Sequence, residues 1–146
     1  MNIEIIIQDL IKKYKTNNPF EICDQKNILV LKEPLGTING YYNKFYRQKI
    51  IHINSELEHR QSLFTCSHEL GHALLHPNSN TPFLRANTFL LVDKLELEAN
   101  KFATLLLISD DDIKDFITYE YTTQDIARNY GISEELIKLR LKYFEN

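Results

Sequence analysis

Apolar residues in the first fourteen positions recur every three or four residues. They are Ile3, Ile6, Ile7, Leu10, Ile11 and Tyr14. Side chains at this spacing share one face of an α-helix, so the pattern predicts an amphipathic helix over residues 3–14. The Asn-Asn-Pro sequence at 17–19 is typical of a helix stop and ends the predicted helix there.

Residues 28–53 show a different pattern, with short runs of β-branched and aromatic residues. The runs cover 28–31, 38–46 and 49–53, with turn signals at 34–36 and near 47–48. Such runs are typical of β-strands. Because they follow one another so closely, we expect them to pair in chain order as a three-stranded antiparallel meander.

Helical patterns return after the strands. Ser55 followed by Glu58 has the spacing of a capping box, which predicts a helix that begins there and ends before Pro77. Residues 77–93 hold two prolines and no firm period, so we predict a loop with at most one short element. Further helices are predicted over 94–107, over 110–119 after a Ser109 cap, and over 123–144 as a pair joined at 130–133. This order of elements predicts an α+β fold.

The composition fits an ordinary globular domain. Of the 146 residues, 43% are hydrophobic and 25% are charged, which excludes a disordered chain and a fibrous one. The length suits a single domain. The formal net charge is -3, whereas a protein held on DNA by its phosphates usually has a basic surface. The charge therefore disfavours direct nucleic-acid binding as the main function.

Cysteine content and the N-terminal sequence bear on the cellular compartment. Cys23 and Cys66 are the two cysteines, and they form neither a CxxC pair nor a disulfide framework. The first residues include an acidic side chain where a signal peptide is basic, and no apolar run approaches the ~20 residues of a membrane span. We therefore predict a cytoplasmic protein with no membrane segment.

The strongest chemical signal is the sequence HELGH at residues 68–72. Histidines four positions apart on a helix project from one face with Cβ atoms ~5–6 Å apart, close enough to bind one metal ion together. Glu69 lies next to that face, where its carboxylate can accept a proton from water. Apolar neighbours indicate a buried helix, and a metal ion would give His68 and His72 the partner that buried polar groups need. The alternative is an amphipathic core helix whose histidines share this spacing by chance.

A catalytic zinc site usually has three protein ligands and one open position. His76 lies two turns beyond His68, ~12 Å along a straight helix, which is too far to complete the site. Glu96 and Glu98 both fall in the next predicted helix. Glu96 shares a face with Asn100, whose amide could orient a ligand histidine, whereas Glu98 points elsewhere. Either glutamate could instead belong to a solvated helix face.

Two segments together resemble the ImmA/IrrE family of bacterial and phage metallopeptidases. They are residues 64–76 (FTCSHELGHALLH) and 96–103 (ELEANKFA), and residues 50–54 (IIHIN) and the Gly40-Tyr41 pair are similar to the family as well. The resemblance covers residues 19–107 well and the C-terminal helices more loosely. It implies a zincin-like fold in which His68, His72 and Glu96 bind zinc (Zn²⁺) and Glu69 is the general base.

The resemblance also implies a function. Members of this family act as regulators by cleaving a partner repressor that carries a helix-turn-helix domain. We therefore expect a zinc-dependent endopeptidase that cuts one specific intracellular protein in a phage, mobile-element or stress switch. The alternative is a zinc-binding regulatory protein with weak or no catalysis, which acts by binding protein or DNA.

We expect one metallopeptidase domain over residues 1–146, divided into three parts. These are an N-terminal helix (1–18), a zincin core (19–107) and C-terminal helices (108–146) with helix-turn-helix spacing. In a DNA reader the start of the second helix enters the major groove. Here that position holds Glu134 and Glu135, which repel phosphate, so we interpret these helices as a packing pair.

The run that precedes the metal motif suggests a place for the substrate. We predict that Ile50, Ile51, His52 and Ile53 form an edge strand that pairs with an extended substrate segment through backbone hydrogen bonds. The alternative is an ordinary covered edge.

Overall fold

The computed structural model describes residues 1–82 and 89–144, and of residues 89–93 it describes the backbone alone. Its elements are α1 (Ile3–Tyr14), α2 (Pro19–Gln25), β1 (Leu29–Glu33), β2 (Gly40–Phe45), β3 (Gln48–Asn54), α3 (His59–Leu75), α4 (Phe89–Leu107), α5 (Asp110–Thr118), α6 (Thr123–Tyr130) and α7 (Glu134–Lys142). Helices with one small sheet make this an α+β fold, and that prediction is confirmed.

The first two helices begin with the same kind of cap. The Asn2 side chain accepts a hydrogen bond from the backbone N–H of Ile5, and α1 follows the predicted bounds. Asn18 does the same for Phe20 at the start of α2, with Pro19 in the first helical position. We had interpreted Asn18-Pro19 as a stop for α1, but it also starts α2, which the sequence analysis missed.

The sheet is mixed, and the predicted antiparallel meander is wrong. The strand order is β1-β3-β2, with β1 parallel to β3 and β2 antiparallel to β3. The reason is burial, because the most apolar strand takes the central position. Ile51 and Ile53 of β3 are fully buried, whereas Lys32 of β1 and Lys44 of β2 lie on the two outer strands, where charged residues are tolerated.

The helix that carries the HELGH sequence begins later than the capping box predicted. Its cap is Glu58, whose side chain accepts from the Gln61 N–H. Ser55 is held elsewhere, since its backbone N–H donates to the carbonyl of Glu33 at 2.9 Å and extends the sheet. The helix nevertheless ends before Pro77, as predicted.

The fourth helix lies against the third at an unusually short distance. A methyl group added at Gly71 would lie 3.1 Å from Cβ of Phe102, so only glycine permits this approach without a shift. Helix α4 also begins at Phe89, within the segment 77–93 that we predicted as a loop. Residues 83–88 of that segment lie outside the described residues.

The described residues form two apolar clusters. The larger cluster joins α1, α2, the sheet, α3 and α4. The smaller one, which we call the C-terminal cluster, contains Ile108, Ile113, Ile126, Ala127 and Ile137. Helices α6 and α7 thus share a buried core, which agrees with a packing pair. Among the described helices, none is both long and apolar enough to cross a lipid bilayer.

Candidate metal centre

Three predicted ligands converge between α3 and α4. The distance from His68 Nε2 to Glu96 Oε2 is 2.6 Å, and that from His72 Nε2 to Glu96 Oε1 is 3.2 Å. One ligand atom from each side chain lies within 4.8 Å of the other two. The helical repeat places the histidines on one face, and the short distance between the helices at Gly71 brings the Glu96 carboxylate to that face.

The two histidines respond differently to the same carboxylate. Burial lowers the pKa of His68, but its hydrogen bond to Glu96 and the nearby charges of Glu69 and Glu96 outweigh burial, and the net pKa is raised. The Asn100 amide near the ring acts in the same direction. Burial lowers the pKa of His72, and the neighbouring rings of His68 and His76 add to that effect, so this pKa is lowered overall.

This set of side chains fits a divalent metal ion. Two imidazole nitrogens and one carboxylate are the ligand types of a catalytic zinc site, where each ligand atom lies ~2.0–2.2 Å from the metal. Ligand atoms within 4.8 Å of one another can meet that requirement with small adjustments. His72 is buried and favours its neutral form, which is the form that binds a metal.

Glu69 lies beside the ligands at the wall of a cleft. The cleft has a volume of about 400 Å³ and is lined by Thr37, Ile38, Asn39, Gly40, Phe64, Thr65, His68, Glu69 and Asn100. Glu69 is only 2% exposed, so its carboxylate meets the cleft from a largely dry position. The cleft therefore brings together the predicted base, one predicted ligand and Asn100.

Comparison with known families gives a match over most of the chain. Residues 23–142 match the model of a peptidase family described as the IrrE N-terminal-like domain. This chain belongs to that metallopeptidase family. The resemblance stated from the sequence is thereby confirmed.

Two relatives also match most of this chain. Metallopeptidase ImmA of Bacillus subtilis (strain 168) is 38% identical over 130 residues, which cover 86% of this chain and 76% of the relative. A protein of Bacillus phage phi105 called "Uncharacterized immunity region protein 2" is 46% identical over 139 residues. That alignment covers 94% of this chain and 88% of the phage protein.

The predicted substrate strand in this IrrE-like chain is wrong, because β3 has no free edge. Residues 50–53 pair with β1 on one side and β2 on the other, so their backbone groups are used within the sheet. Ile51 and Ile53 point into the core, and His52 bonds to Glu33 and Asn43 on the opposite face. The outer strand on the cleft side is β2.

One hydroxyl group closes part of the outer edge of β2. The Tyr42 N–H donates to Thr81 Oγ1 at 3.1 Å, and the Thr81 hydroxyl donates to the Tyr42 carbonyl at 3.2 Å. Alternate residues of an antiparallel strand direct their backbone groups outward, so Gly40 is the corresponding residue two positions earlier. Gly40 lines the cleft, which makes it the end of the β2 edge next to the metal centre.

Two residues to which the sequence analysis gave no function lie behind the centre. His76 Nδ1 is 3.1 Å from His72 Nδ1, and His76 Nε2 is 2.8 Å from Glu98 Oε1. We had weighed His76 and Glu98 only as alternatives for the third ligand. The available signal was spacing, since His76 follows His72 by one helical turn.

Proposed function

We propose that this protein is a zinc-dependent endopeptidase that cleaves one specific intracellular protein, a helix-turn-helix repressor, in a phage, mobile-element or stress switch. The observation that carries the proposal is the convergence of His68, His72 and Glu96 beside a cleft lined by Glu69. Family membership supports the peptidase class.

His68, His72 and Glu96 would hold the metal, and zinc suits this combination of two imidazoles and a carboxylate. A zinc ion bound there supplies a Lewis acid and lowers the pKa of water. The Asn100 amide, at the His68 ring, would keep that ligand oriented. A metal held there would face the cleft, because the cleft reaches the His68 side of the centre.

Glu69 would be the general base. Its buried carboxylate takes a proton from the attacking water and delivers it to the nitrogen of the leaving amine. Burial serves this function because a carboxylate in a dry site has fewer competing water contacts and stronger interactions with a nearby proton donor.

The substrate proposal rests on resemblance and on charge. The phage relative is named for an immunity region, and the Bacillus relative is named a metallopeptidase. A repressor carries a basic DNA-binding surface, and a net charge of -3 on this chain favours the encounter between the two. We propose the cytoplasm as the compartment, since a repressor acts there.

We propose that an extended substrate segment pairs with the Gly40 end of β2, above the metal centre. Backbone hydrogen bonds would give the peptide its affinity, and side-chain contacts would give the specificity. N-methylation of single amides in a cleaved peptide tests this point. Methylation of the amide that pairs with β2 should abolish cleavage, whereas methylation of the other amides should have no effect. If methylation is tolerated equally at every position, backbone pairing is excluded.

We also propose that residues 19–107 form the catalytic core, with residues 1–18 as its N-terminal helix and residues 108–146 as accessory helices. The apolar cluster that joins α1 to α3 and α4 supports one domain for these parts. The separate C-terminal cluster supports an accessory position for the last three helices.

The test of the proposed function separates metal binding from catalysis. Protein prepared with zinc should carry about one zinc per chain. Glu69→Gln should retain this zinc and lose cleavage of a repressor encoded beside it by about 10²–10⁴-fold, because an amide cannot accept the proton. Glu135→Gln, an exposed site on α7, is the matched control and should behave like the unmodified protein.

Three results would contradict the proposal, each in a different part. Absence of bound metal after preparation with zinc would exclude the metallopeptidase mechanism. Full zinc content with no cleavage by the unmodified protein would instead favour a zinc-binding regulator. Digestion of unfolded casein as readily as of the repressor would exclude a dedicated substrate.

A further inference from the structure

A chain of hydrogen bonds runs from Glu98 through His76 to the ligand His72. His76 follows α3 directly and is the cap residue of that helix, with its backbone N–H bonded to the His72 carbonyl at 2.8 Å. Its ring lies between the ring of His72 and the carboxylate of Glu98 on α4. The side chains of His72 and His76 are 1% and 6% exposed, so water does not compete strongly for these bonds.

The chemistry of the three groups assigns the protons. An ionised carboxylate only accepts, so His76 donates from Nε2 to Glu98. A neutral His76 then has a bare Nδ1, which accepts from Nδ1–H of His72 at 3.1 Å. With its proton on Nδ1, a neutral His72 presents the lone pair of Nε2 to the centre.

That lone pair faces another acceptor. His72 Nε2 lies 3.2 Å from Glu96 Oε1, whereas His68 Nε2 lies 2.6 Å from the other oxygen of the same carboxylate. The shorter distance suits a proton shared between His68 and Glu96. The longer one suits two lone pairs that turn toward a site for a cation.

We propose that His76 and Glu98 form a positioning pair, which holds the His72 ring and its proton so that Nε2 is ready to bind the metal. The inference rests on the proposed metal centre. It goes further, because it assigns a function to two residues outside the proposed ligands and the cleft lining. Partners of this kind in metal sites typically contribute 10–100-fold to metal affinity.

The experiment compares two substitutions of one residue. His76→Phe keeps a ring but removes the acceptor for His72. His76→Asn places a carbonyl oxygen near the position of Nδ1 and so restores that acceptor without the contact to Glu98. Tyr130→Phe is the control, since it removes a partly buried hydroxyl contact to Asp112 within the C-terminal helices.

Two measurements are made on each protein. Nitrogen-15 NMR of histidine-labelled, metal-free protein reports which nitrogen of His72 carries the proton, and chelator competition gives the dissociation constant for zinc. We expect the Nδ1–H form in the unmodified protein and in His76→Asn. In His76→Phe we expect a shift to the Nε2–H form, with zinc affinity lower by 10–100-fold. His76→Asn should recover most of that affinity, and Tyr130→Phe should not change it.

The inference is overturned by an Nε2–H form of His72 in the unmodified protein. It is also overturned if His76→Phe leaves zinc affinity unchanged, or if His76→Asn weakens it as much as His76→Phe does, because the pair would then serve only to pack the helices. Failure of the proposed function looks different. In that case the unmodified protein binds no zinc, and the NMR result alone decides the proton position.

Discussion

The α3–α4 region and the C-terminal helices both bury polar side chains, but the contacts of those side chains differ. In the C-terminal helices Arg140 is 2% exposed and donates from Nε to the Ile108 carbonyl at 2.8 Å and from Nη2 to Asp110 at 2.7 Å. Between α3 and α4, by contrast, His72 Nε2 lies 3.2 Å from Glu96 Oε1, and the proton positions proposed above make both atoms acceptors.

The contacts of Arg140 serve stability, whereas those between α3 and α4 point to a function. Arg140 connects α7 to the start of α5, and its Nε and Nη2 contacts each join a donor to an acceptor, which stabilises the fold, while its buried Nη1 has no hydrogen-bond partner among the described residues. On these proton positions, the two acceptors are costly to bury unless a cation lies between them. A buried polar group whose contacts are chemically mismatched is thus a better indicator of a site than burial alone.

The largest expected effect comes from removing a ligand. His72→Ala should weaken zinc binding by more than about 100-fold, which exceeds the usual effect of an outer partner, and should abolish cleavage. Glu96→Ala should have a similar effect, and Glu98→Ala a smaller one. Chelator competition measures all three. A larger loss in Glu98→Ala than in Glu96→Ala would show that the third ligand is misassigned.

A substitution in the C-terminal helices should instead lower stability and leave zinc binding unchanged. Arg140→Leu leaves the buried Ile108 carbonyl without its donor, so we expect a loss of about 1–3 kcal/mol in the free energy of unfolding. Zinc content should not change. Urea unfolding together with metal analysis checks both, and a loss of zinc in Arg140→Leu would remove the distinction between the regions.

A matched pair of glycine substitutions sharpens the comparison. Gly71→Ala adds a methyl group against Phe102, so α4 must shift, and we expect a loss of about 1–3 kcal/mol together with weaker zinc binding. Gly131→Ala lies at the C-terminal end of α6 with φ +68, and its methyl group would lie 3.0 Å from Cβ of Arg60. We therefore expect a loss of at least about 1 kcal/mol from backbone strain and this close contact, with unchanged zinc affinity. Equal zinc affinities in the two variants would contradict our account of the contact between α3 and α4.

The smallest effect concerns alkaline pH. Burial raises the pKa of Tyr42 to about 12, above the ordinary value near 10. The unfolded chain therefore releases this proton first as the pH rises. The stabilisation from Tyr42 is complete below pH 10 and is lost as the pH approaches 12.

Tyr42→Phe should remove the fall in the free energy of unfolding that begins near pH 10. At neutral pH it should cost about 0.5–1.5 kcal/mol, because the Tyr42 hydroxyl donates to the Pro77 carbonyl at 2.6 Å. Thermal unfolding measured from pH 7 to 11 gives both values. Burial also raises the pKa of Tyr130 in the C-terminal helices, so Tyr130→Phe should show the same direction if burial is the cause.

Sequence patterns predicted the features that depend on interactions between residues close together in the chain. The spacing of apolar residues predicted α1, Ser109 predicted the start of α5, and the four-residue interval between His68 and His72 predicted a shared face. Each of these depends on neighbours within one or two turns of the chain. The placement of Glu96 beside the histidines was also expected, through Asn100 and the family resemblance.

Contacts between distant segments were not predictable in the same way. The parallel pairing of β1 depends on which strand is buried most, and the start of α3 depends on a bond from Ser55 to Glu33, 22 positions earlier. The bond between His76 and Glu98 depends on how far α3 and α4 are offset from each other along their axes. Sequence spacing within one helix carries no information about that offset.

The proposed ligands come from two helices that are far apart in the chain, with His72 and Glu96 separated by 24 positions. Any metal bound between them is therefore also a crosslink in the tertiary structure. Its free concentration becomes a variable of the folding equilibrium, because a metal at 1,000 times its dissociation constant adds about 4.1 kcal/mol to the folded state. Supply of that ion would then set how long each chain resists proteolysis as well as how fast it cleaves its substrate.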